Sequence, residues 1–173
     1  MTQVTSMAEA IKNATRIKVK VGDNGILPFK KNMTDAGFDL YATEDVHIYP
    51  GQIQKHPLNI QMELPPGCYA QITSKSGLGS KGFMVYAGII DELYRGIPHV
   101  VCTNLNWKTD PYIDEDGEPN VMIFPAEPLV IKKGEKIAQM ILHPYHPHYF
   151  IEEVDTIDTN TDRGEGGFGS TGK

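Results

Sequence analysis

The stretch Leu58-Asn59-Ile60-Gln61-Met62-Glu63-Leu64 alternates apolar and polar residues at every position. Successive side chains of a β-strand point to opposite faces, so this alternation predicts a strand with one buried face and one exposed face. The same period of two recurs over Ile17–Val21 and Cys68–Thr73. In Ile17–Val21 the polar positions are lysines, which are typical of an edge strand.

Six further segments have strand character between glycine and proline signals: Phe38–Ala42, Val46–Tyr49, Phe83–Tyr86, His99–Asn104, Val121–Phe124 and Ile137–Leu142. Short strands separated by such signals favour a sandwich or a barrel, so the predicted fold class is all-β with little helix. Ser6 and Glu9 have the spacing of a capping box, which is compatible with a helix over Met7–Ala14. A frayed N-terminal tail is the alternative interpretation of the same residues.

The composition limits the functions to be considered. The chain has 173 residues, 40% of them hydrophobic and 22% charged, which suits one globular domain. Its net charge of −6 argues against a general nucleic-acid-binding surface. Cys68 and Cys102 lie among apolar residues and are predicted to be buried free thiols. No signal-peptide pattern and no apolar run of membrane-spanning length is visible, so we expect a cytoplasmic protein without a membrane partner.

Changes in composition divide the chain into an N-terminal extension over residues 1–15, a β domain over 16–154 and a polar, glycine-rich arm over 155–173. The β domain is interrupted by Trp107–Pro128, a polar and acidic excursion with a candidate hairpin at Val121–Phe124. A surface loop is the simplest interpretation of this excursion. A surface that binds a partner protein and a lid near the functional site are the alternatives.

Five short motifs follow one another along the chain, and each alone would be a weak signal. They are Asp35-Ala36-Gly37-Phe38-Asp39-Leu40, Thr73-Ser74-Lys75-Ser76-Gly77-Leu78-Gly79, Gly88-Ile89-Ile90-Asp91-Glu92-Leu93-Tyr94-Arg95-Gly96, Lys133-Gly134-Glu135-Lys136-Ile137-Ala138-Gln139-Met140-Ile141 and Arg163-Gly164-Glu165-Gly166-Gly167-Phe168-Gly169-Ser170-Thr171-Gly172. In this order and at these intervals, they resemble the five motifs of the trimeric dUTP pyrophosphatase (dUTPase) family.

The resemblance implies a jelly-roll-like β fold and a homotrimer whose active sites are shared between subunits. It also implies a reaction, the Mg²⁺-assisted hydrolysis of dUTP to dUMP and pyrophosphate, which keeps uracil out of DNA and supplies dUMP. By the same resemblance, the arm over residues 155–173 is expected to close over bound nucleotide and exclude water.

The resemblance also implies roles for three residues. Asp91 matches the general base that deprotonates a water for attack on the α-phosphorus, whereas an isolated aspartate would be interpreted as a turn cap. Tyr94 matches a tyrosine that packs under the deoxyribose and leaves no room for a 2′-hydroxyl; a core tyrosine is the alternative. Asp39 matches the carboxylate that holds Mg²⁺ through bound water, and an exposed strand residue is its alternative.

The nucleotide contacts implied by the resemblance come from four of the motifs. The expected substrate-binding residues are Lys75, Ser76, Gly77, Gly88, Ile90, Tyr94, Gln139, Arg163, Phe168, Gly169, Ser170 and Thr171. Arg163 would supply a cation for the terminal phosphate, and Phe168 a ring that stacks on uracil.

Three positions depart from the family pattern. Lys75 and Lys136 stand where arginine is common, which keeps the charge but loses the bidentate geometry. Val85 stands where many members carry an asparagine near uracil. Valine cannot make that side-chain hydrogen bond, so we expect backbone groups around Phe83–Gly88 to recognise the base.

Two other functions fit the sequence less well. dCTP deaminases share the fold but carry a catalytic glutamate where this chain has Val101. A non-catalytic binder that senses dUTP or a partner protein is disfavoured because the motif residues are present, although a dual role stays open. The run His143–His148 contains two prolines and no cysteine, so a surface turn is favoured over a zinc site.

Overall fold

A computed structural model of the protein describes residues 16–146 and 148–161. Within these ranges the chain forms thirteen β-strands and one helical turn, which confirms the predicted all-β class. The elements are β1 Lys18–Val21, β2 Gly37–Tyr41, β3 Val46–Ile48, β4 Ile53–Pro57, β5 Ile60–Glu63, β6 Cys68–Thr73, α1 Ser76–Gly79, β7 Phe83–Tyr86, β8 Ile89–Ile90, β9 His99–Asn104, β10 Trp107–Ile113, β11 Pro119–Pro125, β12 Leu129–Ile131 and β13 Lys136–Pro144. The predicted helix over Met7–Ala14 lies outside the described residues.

The strands pair in small antiparallel sheets around one core. The largest sheet has the order β2-β13-β6-β8, and a three-stranded sheet has the order β4-β9-β7. Three pairs complete the fold, β1 with β5, β12 with β3 and β10 with β11. The long strand β13 runs between β2 and β6, so it brings two distant parts of the sequence side by side.

The alternation in Leu58–Leu64 is confirmed by burial. Its four apolar side chains are at most 4% exposed and all belong to the core. The strand itself begins only at Ile60, because Asn59 adopts a positive φ of 51° and turns the chain. Lys18 and Lys20 are exposed on β1, which pairs only with β5 in the described chain, as expected of an edge strand.

The excursion is a two-stranded ribbon, which confirms the predicted hairpin and extends it to β10 and β11. Every residue of both strands is exposed. Cross-strand partners share a face, and one face of the ribbon is apolar apart from a single threonine. The residues of that face are Trp107, Thr109, Pro111, Ile113, Pro119, Val121, Ile123 and Pro125.

The two cysteines differ in burial. Cys102 is a free thiol with no exposed surface, as predicted, and burial raises its pKa to about 11. Cys68 is also free but only partly buried, so the prediction of a buried thiol is wrong there. It begins β6 at the rim of the sheet and lines a surface cavity. Across the described ranges, no helix combines the length and the apolarity needed to cross a membrane.

Candidate functional site

Three of the motifs meet across the sheet that contains β13. Gln139 pairs with Asp39 of β2 on one side and with Thr73 of β6 on the other. Lys75 follows β6 by two residues and Lys136 begins β13. The antiparallel register therefore places motifs one, two and four next to one another.

Asp39 lies at the centre of this group and is only 8% exposed. Lys136 Nζ lies 2.7 Å from Asp39 Oδ2, and Lys75 Nζ donates to Asp39 Oδ1. Burial by itself raises the pKa of Asp39, but the hydrogen bonds and charges of Lys136 and Lys75 outweigh it and hold that pKa below its ordinary value. The hydrogen bond to Asp39 also raises the pKa of Lys136. Two ammonium groups against one carboxylate leave an excess of positive charge, which suits a phosphate ligand.

The same contacts bear on the predicted metal site. Both oxygens of Asp39 already accept hydrogen bonds from lysines. Within the part of the chain that the structure describes, no group of three or more His, Cys, Asp or Glu side chains could hold a metal ion. The residues as arranged do not fit an ion bound directly by the protein, so the role of Asp39 in holding Mg²⁺ stays a prediction.

Ser74 links the second motif to its neighbours, a role that the sequence analysis missed. Its carbonyl oxygen accepts a hydrogen bond from Gln139 Nε2 at 2.9 Å, and its hydroxyl accepts one from the Val85 amide at 2.9 Å. Gly37 lies beside this contact, and a Cβ there would lie 2.8 Å from Gln139 Oε1, so a larger residue would shift the Gln139 side chain. The position of Ser74 inside a recognised motif was the one available signal.

The second motif turns directly into α1. Gly79 N donates to Lys75 O at 2.8 Å, and Lys75 itself keeps an extended backbone. Ser76 and Gly77 open the turn and are exposed, and a Cβ at Gly77 would meet nothing within 4 Å. The first amides of a helical turn have no intrahelical acceptor, so Ser76 and Gly77 can donate to an anion.

The third motif forms a compact, exposed turn after β8. Tyr94 N donates to Asp91 O at 3.1 Å, and Arg95 Nη1 donates to Glu92 O at 2.7 Å. The Asp91 side chain is exposed and accepts no hydrogen bond from the described residues. Tyr94 is 44% exposed, so it is not a core tyrosine, and its hydroxyl donates to Ile97 O at 3.2 Å.

The segment between β7 and β8 bears on the predicted recognition of uracil by backbone groups. A Cβ at Gly88 would lie 2.0 Å from Ile72 O, so only glycine fits there. The Gly88 carbonyl accepts from Ile72 N at 2.7 Å, and the Val85 amide is bound to Ser74. The Ile90 side chain is buried, which leaves only its backbone for a ligand. Backbone recognition around Phe83–Gly88 would therefore use groups other than Val85 N–H and Gly88 C=O.

The predicted site residues do not all meet within one chain. Thr73 pairs with Gln139 at one end of β6, whereas Ala70 pairs with Ile90 near the other end. Asp91 lines a cavity together with Tyr69, four residues from Thr73 along β6. At the rise of a β-strand this separates Asp91 from the Thr73 end by roughly 13 Å.

The structure thus brings together Asp39, Lys75, Ser76, Gly77 and Gln139, and places Asp91 and Tyr94 apart from them. The predicted substrate contacts in the arm lie outside the described residues. These are Arg163, Phe168, Gly169, Ser170 and Thr171.

A family model described as dUTPase matches residues 23–109 and 108–172 of the chain. The chain belongs to the dUTPase family. It is 37% identical over 172 residues to the deoxyuridine 5′-triphosphate nucleotidohydrolase of Rattus norvegicus, which covers 98% of this chain and 73% of the rat protein. It is 38% identical over 156 residues to the mitochondrial human protein of the same name. That match covers 89% of this chain and spans about half, 53%, of the human protein.

Solved structures of dUTPases share the fold. The dUTPase of Staphylococcus bacteriophage 80alpha with dUPNHPP superposes with a TM-score of 0.76 at 27% identity, covering 92% of this chain and 100% of the phage chain. A variant dUTPase from phage phi11 of S. aureus, described with a coordinated structural Mg(II) ion, has a TM-score of 0.67 at 24% identity. It covers 83% of this chain and 99% of the phage chain, and at that identity it shows the fold alone.

Proposed function

We propose that this dUTPase-family chain hydrolyses dUTP to dUMP and pyrophosphate, with Asp91 as the general base. The observation that carries the proposal is the presence of two sets of residues suited to this reaction. One is the exposed Asp91 carboxylate, on a turn held by hydrogen bonds within its own motif. The other is the positively charged cluster of Lys75 and Lys136 beside the start of α1. The names of the curated relatives support the same substrate.

In the proposed reaction the Asp91 carboxylate orients a water and takes a proton from it as the water oxygen attacks the α-phosphorus. The bond from the α-phosphorus to the bridging oxygen breaks, and pyrophosphate leaves with the electron pair. Lys75 and Lys136 stabilise the charge that develops on the phosphate oxygens. The ring of Tyr94 beneath the sugar excludes a 2′-hydroxyl, and the arm residues Arg163 and Phe168 contact the terminal phosphate and the uracil.

Mg²⁺ enters this proposal as the expected cofactor, with most of its ligands supplied by triphosphate oxygens and water. It would neutralise phosphate charge. Chelation with EDTA should abolish turnover, and addition of Mg²⁺ should restore it. The melting temperature of the free protein should not change on chelation.

The distance between Asp91 and the cluster of Lys75 and Lys136 supports a homotrimer with shared active sites. In one chain Asp91 lies roughly 13 Å along β6 from the pair of Thr73 and Gln139, whereas a base that acts on the α-phosphorus must lie close to the groups that bind the phosphates. In a symmetric oligomer, Asp91 of one subunit can face the lysines of another. The extended segment after β13 also exposes large apolar side chains, with Tyr149 at 81%, Phe150 at 89% and Ile151 at 103%. Such residues are typical of a surface covered in an assembly.

Mixing two inactive variants tests shared sites. Asp91→Asn removes the base and Lys75→Ala removes a phosphate-binding cation. If sites combine groups from different subunits, unfolding and refolding the two variants together should restore part of the activity. Light scattering should give the mass of three chains. A monomer that hydrolyses dUTP would overturn the shared-site proposal.

Product analysis tests the activity itself. The wild-type protein and Asp91→Asn would be incubated separately with dUTP, dCTP, dTTP and UTP. Release of dUMP and pyrophosphate from dUTP alone, lost in Asp91→Asn, is the expected result. Ammonia from dCTP would favour the deaminase alternative instead.

A second, protein-binding function is favoured by one observation, the apolar face of the β10–β11 ribbon. An isolated two-stranded ribbon is marginally stable in water, and a row of exposed apolar residues is typical of a protein interaction site. The ribbon pairs with no other strand among the described residues, so it is separable from the hydrolytic groups.

A further inference from the structure

Tyr145, just after β13, makes a contact that the family motifs do not include. Its hydroxyl donates to Glu92 Oε2 at 2.7 Å. The Gly67 amide donates to the same oxygen at 2.7 Å. The Tyr145 amide in turn donates to Gly67 O at 2.9 Å. These three hydrogen bonds close a ring between the β5–β6 turn, the end of β13 and the turn that carries Asp91.

We infer that Tyr145 and Glu92 are positioning residues for Asp91, which fix the turn of the general base to the main sheet. This inference rests on the proposed function of Asp91. Below, the ring of hydrogen bonds among Tyr145, Glu92 and Gly67 is called the Tyr145 latch.

The turn needs such an anchor because its own strand is short. β8 has two residues, and only Ile89 and Ile90 pair with β6 before the chain leaves the sheet at Asp91. Arg95 fixes the far side of the turn through the carbonyl oxygens of Glu92 and Tyr94, at 2.7 and 3.0 Å. The Tyr145 latch fixes the near side through the residue that follows Asp91. A base must be held within a fraction of an ångström of its productive position to act efficiently.

The charges favour the latch. Hydrogen bonds from Tyr145 and then from Gly67 lower the pKa of Glu92, so its carboxylate stays an acceptor at neutral pH. The hydrogen bond to Glu92 is the main reason that the pKa of Tyr145 is raised, and burial and the charges of Glu92 and Asp91 raise it further. The phenol therefore stays a donor. Tyr145, Glu92 and Asp91 also line one cavity of about 420 Å³, so the latch lies beside the base.

Tyr145→Phe removes the latch hydroxyl and keeps the ring. We expect kcat for dUTP to fall about 3- to 30-fold with KM within twofold, because the base is misplaced while the phosphate and sugar contacts remain. Glu92→Gln keeps an oxygen that accepts both hydrogen bonds and should retain most of kcat, whereas Glu92→Ala should lose as much as Tyr145→Phe. The double variant Tyr145→Phe/Glu92→Ala should be no slower than Glu92→Ala alone.

Tyr69→Phe is the matched control. Tyr69 lines the same cavity, but its hydroxyl forms no hydrogen bond with the described chain, and its ring stacks on His143 with or without that hydroxyl. The kcat of the Tyr69→Phe variant should equal that of the wild type. A Tyr145→Phe variant with unchanged kcat, or with kcat and KM both altered in step with a lower melting temperature, would overturn the inference.

Amide hydrogen exchange of the free protein separates the latch from the proposed reaction. Peptides covering residues 91–96 should exchange faster in Tyr145→Phe and Glu92→Ala than in the wild type and Tyr69→Phe. If exchange responds in this way but the wild type hydrolyses no dUTP, the proposed function fails and the latch stands as a structural contact only. If exchange does not respond, the latch fails even where dUTP is hydrolysed.

Discussion

Lys136 Nζ lies 2.7 Å from Oδ2 of Asp39, whose other oxygen accepts a hydrogen bond from Lys75. A lysine presents one compact ammonium group, whereas an arginine would present a fork that covers both oxygens of a carboxylate. The paired departures from the family pattern at positions 75 and 136 therefore let one carboxylate hold two cations. Under the proposed function, both ammonium groups would already lie close together before a phosphate binds.

Asp39→Asn should lower the free energy of unfolding by about 1–2 kcal/mol at pH 7, because both lysines lose a charged acceptor. The pKa of Asp39 in the folded protein lies below the ordinary value of 3.8. Its contribution is therefore complete above that value and is lost as the pH falls through the lower, folded-state pKa. Urea unfolding of both proteins from pH 7 to pH 3 should show the difference shrinking only below about pH 4.

The exposed pair of Lys18 and Glu63 is the control, with side chains 74% and 49% exposed. Glu63→Gln should change the unfolding free energy little at any pH, because solvent screens the pair. A difference for Asp39→Asn that is the same at pH 3 and pH 7 would contradict the role of the charge.

Gly88→Ala and Gly77→Ala should have opposite effects on stability. At Gly88 the new Cβ would lie 2.0 Å from Ile72 O, a backbone atom that cannot move without breaking the β6–β8 pairing. We expect a loss of at least about 2 kcal/mol. At Gly77 the Cβ would meet nothing, and alanine suits a helical turn better than glycine. Thermal unfolding would measure both, and equal melting temperatures for the two variants would contradict the packing argument.

The sequence predicts those strands that have one buried and one exposed face, because burial of one face produces an alternation of apolar and polar residues. Ile60–Glu63 and Cys68–Thr73 are of this kind. It does not predict β4, β8, β10 or β12, nor the turn α1. β8 has only two residues, too few to show a period, and β4 has Lys55 and His56 beside Pro57, which hides its pairing with β9.

For the site, the order of the motifs identifies residues but not their distances. The grouping of Asp39, Thr73 and Gln139 depends on the register of β13 against β2 and β6, which pairs residues 66 and 100 positions apart. A separate pairing, that of β6 with β8, places Asp91 towards the opposite end of β6. The Tyr145 latch was not predictable for the same reason, since Gly67, Glu92 and Tyr145 come from three separate segments.

Thiol reactivity should separate the two cysteines. Burial raises the pKa of Cys102 to about 11, so at pH 8 only about one molecule in a thousand carries the reactive thiolate. Cys68 is partly exposed. Ellman's reagent should modify one thiol per native chain and two after unfolding in urea. Cys68→Ser should react only when unfolded, and fast reaction of that native variant would contradict the burial of Cys102.

Gly96→Ala should weaken the rejection of ribonucleotides. A Cβ at Gly96 would lie 2.4 Å from the Tyr94 hydroxyl, and because this is the far end of a side chain, the ring can move away without unfolding the turn. We expect the ratio of kcat/KM for UTP to that for dUTP to rise about tenfold or more. Tyr94→Phe alone keeps the ring in place, so its ratio should match the wild type. It should not rescue Gly96→Ala, because the ring carbon Cζ would still lie 2.6 Å from the new Cβ. An unchanged ratio in Gly96→Ala would contradict the proposed role of Tyr94 in excluding the 2′-hydroxyl.

Replacing residues 109–123 with Asn-Gly should remove the ribbon and leave the hydrolysis of dUTP unchanged. All residues of β10 and β11 are exposed and pair only with each other in the described chain, so the core loses little on deletion. Trp107 is retained because it packs near Gly51, where a Cβ would lie 3.0 Å from its ring. The melting temperature should change by no more than a few degrees, and kcat and KM for dUTP should match those of the full chain. Loss of turnover with an unchanged melting temperature would instead support the lid interpretation.

The matched pair Ile123→Lys and Met122→Lys places one charge on the apolar face of the ribbon and one on its mixed face. If the apolar face binds a partner protein, only Ile123→Lys should abolish that binding.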